Sequence, residues 1–88
     1  MRFNVFADLS RPLTQEERSS LFASLDAIVP DSGCVGPHNG RPNDEVFFCV
    51  EAATENEARA QAGSYMTATL QEAELDASYI IELQRHLG

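Results

Sequence analysis

The chain has 88 residues, 14 acidic and six basic side chains, and a formal charge of -8. Hydrophobic residues make up 43% and charged residues 23%, which is typical of a globular domain and excludes an acidic disordered tail. At this length we expect a single domain over residues 1–88. No apolar run approaches the roughly 18 residues of a transmembrane helix, and no secretory signal is visible. We therefore expect a cytoplasmic protein.

The basic side chains are spread along the chain instead of forming a cluster. All six are arginines, at positions 2, 11, 18, 41, 59 and 85. Nucleic-acid binding requires a basic face that neutralises phosphates, so the sequence predicts no nucleic-acid partner, and anionic membranes are excluded on the same ground. An acidic surface suits either a basic protein partner or simple solubility.

The first predicted element is a strand over residues 2–9, in which apolar and polar positions alternate. One face carries Phe3, Val5, Ala7 and Leu9. The other face carries Arg2, Asn4, Phe6 and Asp8. The alternation predicts a strand with one buried face.

Two helices are predicted, each beginning at a T-x-x-E capping box. Thr14 and Glu17 form the first box, and the helix runs over 14–28 and stops before Pro30. Its apolar positions have helical spacing: Leu21, Phe22, Leu25, Ile28 and Val29. Thr54 and Glu57 repeat the box, and the second helix runs over 55–73. Its stripe is Ala58, Ala62, Tyr65, Met66, Leu70 and Ala73.

Three further strands complete the pattern. A short strand is predicted at residues 34–35, followed by a Gly/Pro/Asn-rich hairpin loop over 36–44. The nearly continuous apolar run within 45–52 predicts a central strand. Residues 77–84 form the last predicted strand.

The resulting order, β-α-β-β-α-β, resembles the ferredoxin-like α+β sandwich over nearly the whole chain. The resemblance is to a fold and carries no family motif. It implies a four-stranded antiparallel sheet in the order 4-1-3-2 with two helices on one face. The two strongest strand signals then occupy the centre of the sheet.

A sheet with helices on one side leaves its other face open, and side-chain parity predicts what lies there. The predicted open face carries apolar residues among polar ones: Phe6, Phe47, Ile80, Cys49, Asn4, Glu51 and Glu82. This face is more apolar than solvation requires, and such patches mark interfaces. We therefore predict a non-enzymatic binding or assembly module that engages a protein partner. A homodimer through this face or the sheet edge would supplement the small core.

Two alternative functions share this fold. The first is a small ligand-binding or enzymatic dimer with a pocket on the same face, using His38, Glu51, Glu82 or Cys49. The second is an acidic inhibitor or nucleic-acid mimic that occupies a basic surface, which requires rows of carboxylates on one side.

The cysteines and histidines allow two further interpretations. If the hairpin loop centres between Arg41 and Pro42, Cys34 faces Cys49 and a cross-strand disulfide becomes conceivable; a turn at Asn39-Gly40 separates them. Together with His38 and His86, the cysteines also match a zinc site in number. The predicted strand order separates Cys34 from His86, so we expect no metal and no cofactor.

Overall fold

The elements follow one another in the order βαββαβ. The computed structural model of the chain describes residues 1–37 and 42–86. The strands are β1 (Arg2–Leu9), β2 (Ser32–Pro37), β3 (Asp44–Glu51) and β4 (Tyr79–Arg85). The helices are α1 (Gln15–Ile28) and α2 (Glu55–Glu72). No helix in the described part of the chain is long and apolar enough to cross a membrane.

The four strands form one antiparallel sheet in the order β2-β3-β1-β4. This is the predicted order counted from the opposite edge, so the predicted sheet and the α+β class are confirmed. The boundaries of three strands differ from prediction. β2 extends over 32–37 instead of 34–35, and β3 over 44–51 instead of 45–52. β4 covers 79–85 instead of 77–84, and the Ser78 N–H before it donates to the Ser10 hydroxyl.

The core lies between the helices and one face of the sheet. Every second residue of β1 is buried, as the alternation predicts. Buried apolar residues of the strands and helices form one cluster: Phe3, Val5, Ala7, Leu9, Leu13, Leu21, Leu25, Val29, Val46, Phe48, Val50, Ala58, Ala62, Met66 and Leu70. Phe22 was expected in this set but is 45% exposed. It lies one position beyond Leu21, about 100° around the helix, and Ser24 takes the inward position instead.

The helix starts follow the predicted caps, with one difference. At α1, the Thr14 hydroxyl accepts the Glu17 N–H at 3.1 Å, and the Glu17 carboxylate accepts the Thr14 N–H at 3.0 Å. At α2, Thr54 accepts the Glu57 N–H, but the Glu57 carboxylate accepts from Ala53 instead of Thr54. The second box is therefore only half formed.

The Glu17 carboxylate also binds an arginine that sequence spacing did not indicate. Arg11 donates to both carboxylate oxygens, at 3.0 and 2.9 Å. This pairing and the Thr14 N–H lower the pKa of Glu17 from 4.5 to about 2. The cap of α1 is thus held by a charged group that stays ionised in acid.

A second ion pair ties the start of β3 to α1. Asp44 is 1% exposed and accepts two hydrogen bonds from Arg18, at 2.6 and 3.2 Å, and one from the Leu13 N–H. The Arg18 guanidinium holds the pKa of Asp44 below its usual value. Asp44 falls in the predicted hairpin loop, and no spacing in the sequence indicates its pairing with Arg18.

Candidate binding surface on the open sheet face

The helices leave one face of the sheet uncovered, and we call it the open face. Its side chains follow from the strand registers, in which opposite residues share a face. From β1 and β4 it carries Asn4, Phe6, Asp8, Ile80, Glu82 and Gln84. From β2 and β3 it carries Cys34, Glu45, Phe47, Cys49 and Glu51. The structure thus places all seven residues of the predicted surface on this face, although their exposure differs widely.

Two phenylalanines form the centre of the open face. Phe6 and Phe47 are directly opposite each other on β1 and β3, with ring centroids 5.1 Å apart and ring planes inclined by 45°. Both rings are half-buried, because each covers part of the other. Glu82 continues the row on β4, and Cys34 continues it on β2.

The position of the Phe47 ring depends on a glycine in the neighbouring strand. The register of β2 is irregular between Ser32 and Cys34, where Gly33 lies. A Cβ atom on Gly33 would lie 2.4 Å from Phe47 Cδ1 and 2.5 Å from the Phe47 carbonyl oxygen. Position 33 therefore requires glycine because of close approach to the ring and to the backbone.

Cys49 points toward the open face but is covered, at 8% exposure. Its thiol donates to Asn4 Oδ1 at 3.2 Å, and its N–H donates to the Asp31 carbonyl. Arg2 of β1 and Asp31, which directly precedes β2, form an ion pair of 2.8 Å across β3. Cys49 thus forms part of the floor of the open face and contributes little accessible surface, whereas Asn4 beside it is partly exposed.

The two cysteines are both free thiols. Cys34 is exposed and lies opposite Phe47, two residues from Cys49 along β3. This register lies between the one given by a loop centred at Arg41 and Pro42 and the one given by a turn at Asn39-Gly40. The arrangement in which Cys34 faces Cys49 is therefore wrong. Diagonal neighbours are about 7–8 Å apart, whereas a disulfide needs Cβ atoms about 3.5–4.5 Å apart.

Carboxylates surround the aromatic pair. Asp8 and Glu45 are opposite each other on β1 and β3, and Glu51 lies 3.6 Å from the Met1 amino group. Glu82 is exposed and, within the part of the chain that the structure describes, forms no hydrogen bond or ion pair. Arg2, the cation that β1 contributes to this face, is already paired with Asp31. Glu82 is therefore the carboxylate beside the apolar centre that has no partner among the described residues.

A depression of about 300 Å³ joins the aromatic and acidic parts of the open face. Its lining comes from three strands: Phe6, Glu45, Glu82, Leu83 and Gln84. One aromatic ring and two carboxylates thus border the same space. This combination can bind an organic cation through cation–π attraction and charge-assisted hydrogen bonds.

Ile80 lies at the margin of this surface. It is 75% exposed, on the edge strand, and opposite Asp8. It is diagonal to Phe6, so the apolar patch runs obliquely from the centre of the sheet to its β4 edge. Sequence parity alone predicted its outward direction but not its distance from the phenylalanine pair.

Among the described residues, those considered for metal binding are not brought together. Cys34 and His86 lie on opposite edges of the sheet, and His38 is outside the described residues. Within residues 1–37 and 42–86, no group of three His, Cys, Asp or Glu residues could hold a metal ion. Cys49, which is buried and bonded to Asn4, is not presented to a substrate.

Comparison with protein-family models, curated proteins and solved structures gives no match to this chain.

Proposed function

We propose that the protein is a non-enzymatic binding module whose open face binds a basic partner protein through an arginine side chain. One observation carries the proposal: Phe6 and the unpaired Glu82 border the same depression. The depression is at the small end of the range for ligand sites, about 300–1,000 Å³. That size fits one long side chain better than a cofactor or a large metabolite.

Arginine suits this space for two reasons. Its planar guanidinium can stack on the Phe6 ring while its N–H groups donate to a carboxylate. The net charge of -8 would also attract a basic partner over several ångströms and increase its association rate. Binding should consequently weaken as salt is added.

The charges of the open face favour such a partner over a second copy of the chain in this position. Stacking two open faces would bury the Glu82 carboxylate of each copy, which has no partner among the described residues. Burying an unpaired charge opposes association. The carboxylates elsewhere are spread over both helices and the loops, for example Glu16 and Glu55, which does not favour a one-sided nucleic-acid mimic.

Two finer assignments accompany this function. The βαββαβ order and the strand order β2-β3-β1-β4 support a ferredoxin-like fold. The two unpaired thiols support a reducing compartment, the cytoplasm.

The proposal is tested by titrating a hexa-arginine peptide into the protein and measuring its affinity by calorimetry. Glu82→Gln should lower the affinity about two- to five-fold, as loss of an exposed ion pair does. Phe6→Leu should lower the affinity for the peptide more than Glu82→Gln does, because leucine keeps the buried apolar volume but has no aromatic face for the guanidinium. Glu72→Gln is the matched control: it removes the same charge from an exposed position at the end of α2.

The proposal fails if Glu72→Gln weakens binding as much as Glu82→Gln. That result would show attraction to net charge alone. It also fails if Phe6→Leu leaves the affinity unchanged, because the aromatic ring would then take no part.

A further inference from the structure

The outer edge of β4 is a row of backbone hydrogen-bonding groups. In an antiparallel pair, alternate residues direct their N–H and C=O toward the neighbouring strand. The His86 N–H donates to the Arg2 carbonyl, and the Ser10 N–H donates to the Ser78 carbonyl. Even-numbered residues of β4 are therefore bonded to β1, and odd-numbered residues direct their backbone groups outward. In the described part of the chain, no strand lies beyond β4.

Part of this edge is already blocked. Arg59 of α2 donates to the Ile81 carbonyl at 3.2 Å, which confirms that odd-numbered residues point outward. Covering an edge in this way protects it against unwanted pairing. Leu83 and Arg85 lie beyond that block, so the open part of the edge is the C-terminal half of β4.

The opposite edge of the sheet is poorly suited to accept another strand. β2 is irregular at Gly33 and ends at Pro37, which has no N–H to donate. Bulges and prolines are common means of blocking edge strands. β4, in contrast, is regular and contains no proline over Tyr79–Arg85.

We propose that a second copy of this chain pairs with β4 along this open half, antiparallel, with a two-fold axis at Gln84. Leu83 of each copy then lies opposite Arg85 of the other and exchanges backbone hydrogen bonds with it. The Ile81 carbonyl keeps its bond to Arg59 in this register. A two-fold axis normal to the sheet also keeps both open faces on the same side, so the dimer presents them as one continuous surface.

The side chains are complementary in this register. On the open face, Glu82 lies opposite His86 of the second copy, a carboxylate against an imidazole, and this contact occurs twice by symmetry. Gln84 lies opposite its own counterpart, and two amides can donate and accept in turn. An axis at Glu82 would instead place two carboxylates in direct opposition, which is destabilising. With the axis at Ile81 or Leu83, the Ile81 carbonyl would have to give up its hydrogen bond from Arg59 and accept one from the second copy instead.

The dimer and the proposed site for a basic partner both use Glu82, so the test of the dimer is made at Arg85, which does not line that site. Light scattering of the concentrated protein should give a mass approaching twice 9.7 kDa. Arg85→Pro removes an outward N–H without removing a bond to β1, so it should yield monomers with an unchanged far-ultraviolet circular dichroism spectrum. Arg85→Ala, the matched control, keeps the N–H and should remain dimeric.

Nuclear magnetic resonance then tests the register. Glu82 and His86 are four residues apart, about 13 Å within one strand, so a nuclear Overhauser effect between their Hα protons can arise only between copies. His86→Glu should weaken the dimer, and adding Glu82→His should restore it. A monomer at millimolar concentration, a dimer that Arg85→Pro leaves intact, or the absence of the Glu82–His86 effect in the dimer would overturn the proposal.

Discussion

The position of Gly33 beside Phe47 yields a stability prediction with a built-in control. An alanine Cβ at position 33 would lie 2.4 Å from Phe47 Cδ1 and 2.5 Å from the Phe47 carbonyl oxygen. The ring could rotate away, but the carbonyl moves only if the strand moves. Overpacking of this kind costs about 1–3 kcal/mol, so we expect Gly33→Ala to lower the free energy of unfolding by about 2 kcal/mol. The midpoint of thermal unfolding should fall by roughly 4–8 °C for each kcal/mol lost.

Gly36 on the same strand supplies the comparison. A Cβ there meets nothing within 4 Å, so Gly36→Ala should be neutral or stabilising by about 0.4–1 kcal/mol, through the lower entropy of the unfolded chain. Urea unfolding followed by circular dichroism measures both variants, and equal m-values would show that the unfolded state is unchanged. If Gly33→Ala is as stable as Gly36→Ala, the reasoning about the close approach is wrong.

Three further predictions concern the helices and can be measured by thermal or acid unfolding. The Thr69 hydroxyl is buried without a hydrogen-bond partner among the described residues. Thr69→Val should therefore stabilise the fold by about 1–2 kcal/mol, whereas Thr69→Ser should destabilise it. A destabilising Thr69→Val would show that the hydroxyl is hydrogen-bonded. Glu74 follows α2 with φ of 56°, a conformation in which an L-residue is strained. Glu74→Gly should therefore stabilise the fold by about 1 kcal/mol, while Glu72→Gly within the helix should destabilise it. Equal effects of the two substitutions would refute the strain at position 74. The lowered pKa of Glu17 means that the ionised carboxylate stabilises the fold above pH 4.5, and that this contribution is lost as the pH falls toward about 2. Glu17→Gln should therefore flatten the dependence of the free energy of unfolding on pH between those values. An unchanged slope would contradict the role of the Arg11–Glu17 pair.

The end of α2 explains why Glu74 is strained. The Leu75 N–H donates to the Leu70 carbonyl, and the Glu74 N–H donates to the Gln71 carbonyl, the two bonds of a Schellman motif. That motif requires a left-handed residue at position 74, where glycine is usual. Its acidic side chain also lies near the negative end of the helix dipole.

Elements with a strong local pattern could be predicted from the sequence. The alternation in β1 defined both its boundaries and its buried face. Because side chains alternate between the two faces of a strand, placing the apolar residues in the core fixes the direction of every other side chain. The cap at Thr14 located the start of α1 for a similarly local reason. The strand order followed from chain connectivity, since the βαββαβ order leaves few topologies with right-handed crossovers.

The register of the β2–β3 hairpin could not be predicted in the same way. The Gly/Pro/Asn-rich segment over 36–44 offers several turn positions, and each gives another register. The observed pairing of Cys34 with Phe47 also involves an irregularity at Gly33 that depends on the tertiary approach of a ring. Without that register, the placement of Cys34 on the open face could not be established.

The sequence predicted which side chains point toward the open face, but not how exposed each of them is. Parity placed Cys49 and Phe47 on the uncovered face, but coverage depends on neighbours distant in sequence. The Arg2–Asp31 ion pair spans β3, and Phe6 covers part of Phe47. Long-range side-chain contacts of this kind leave no periodic signal in the sequence.

Mapping where a basic partner binds tests whether the open face is the binding surface. Amide chemical shifts of the isotope-labelled protein should be recorded during titration with a hexa-arginine peptide. We expect the largest changes at Phe6, Phe47 and Glu82, and we expect Glu82→Gln to reduce them. Changes concentrated on the acidic first turns of α1 and α2, with the open face unaffected, would contradict this expectation.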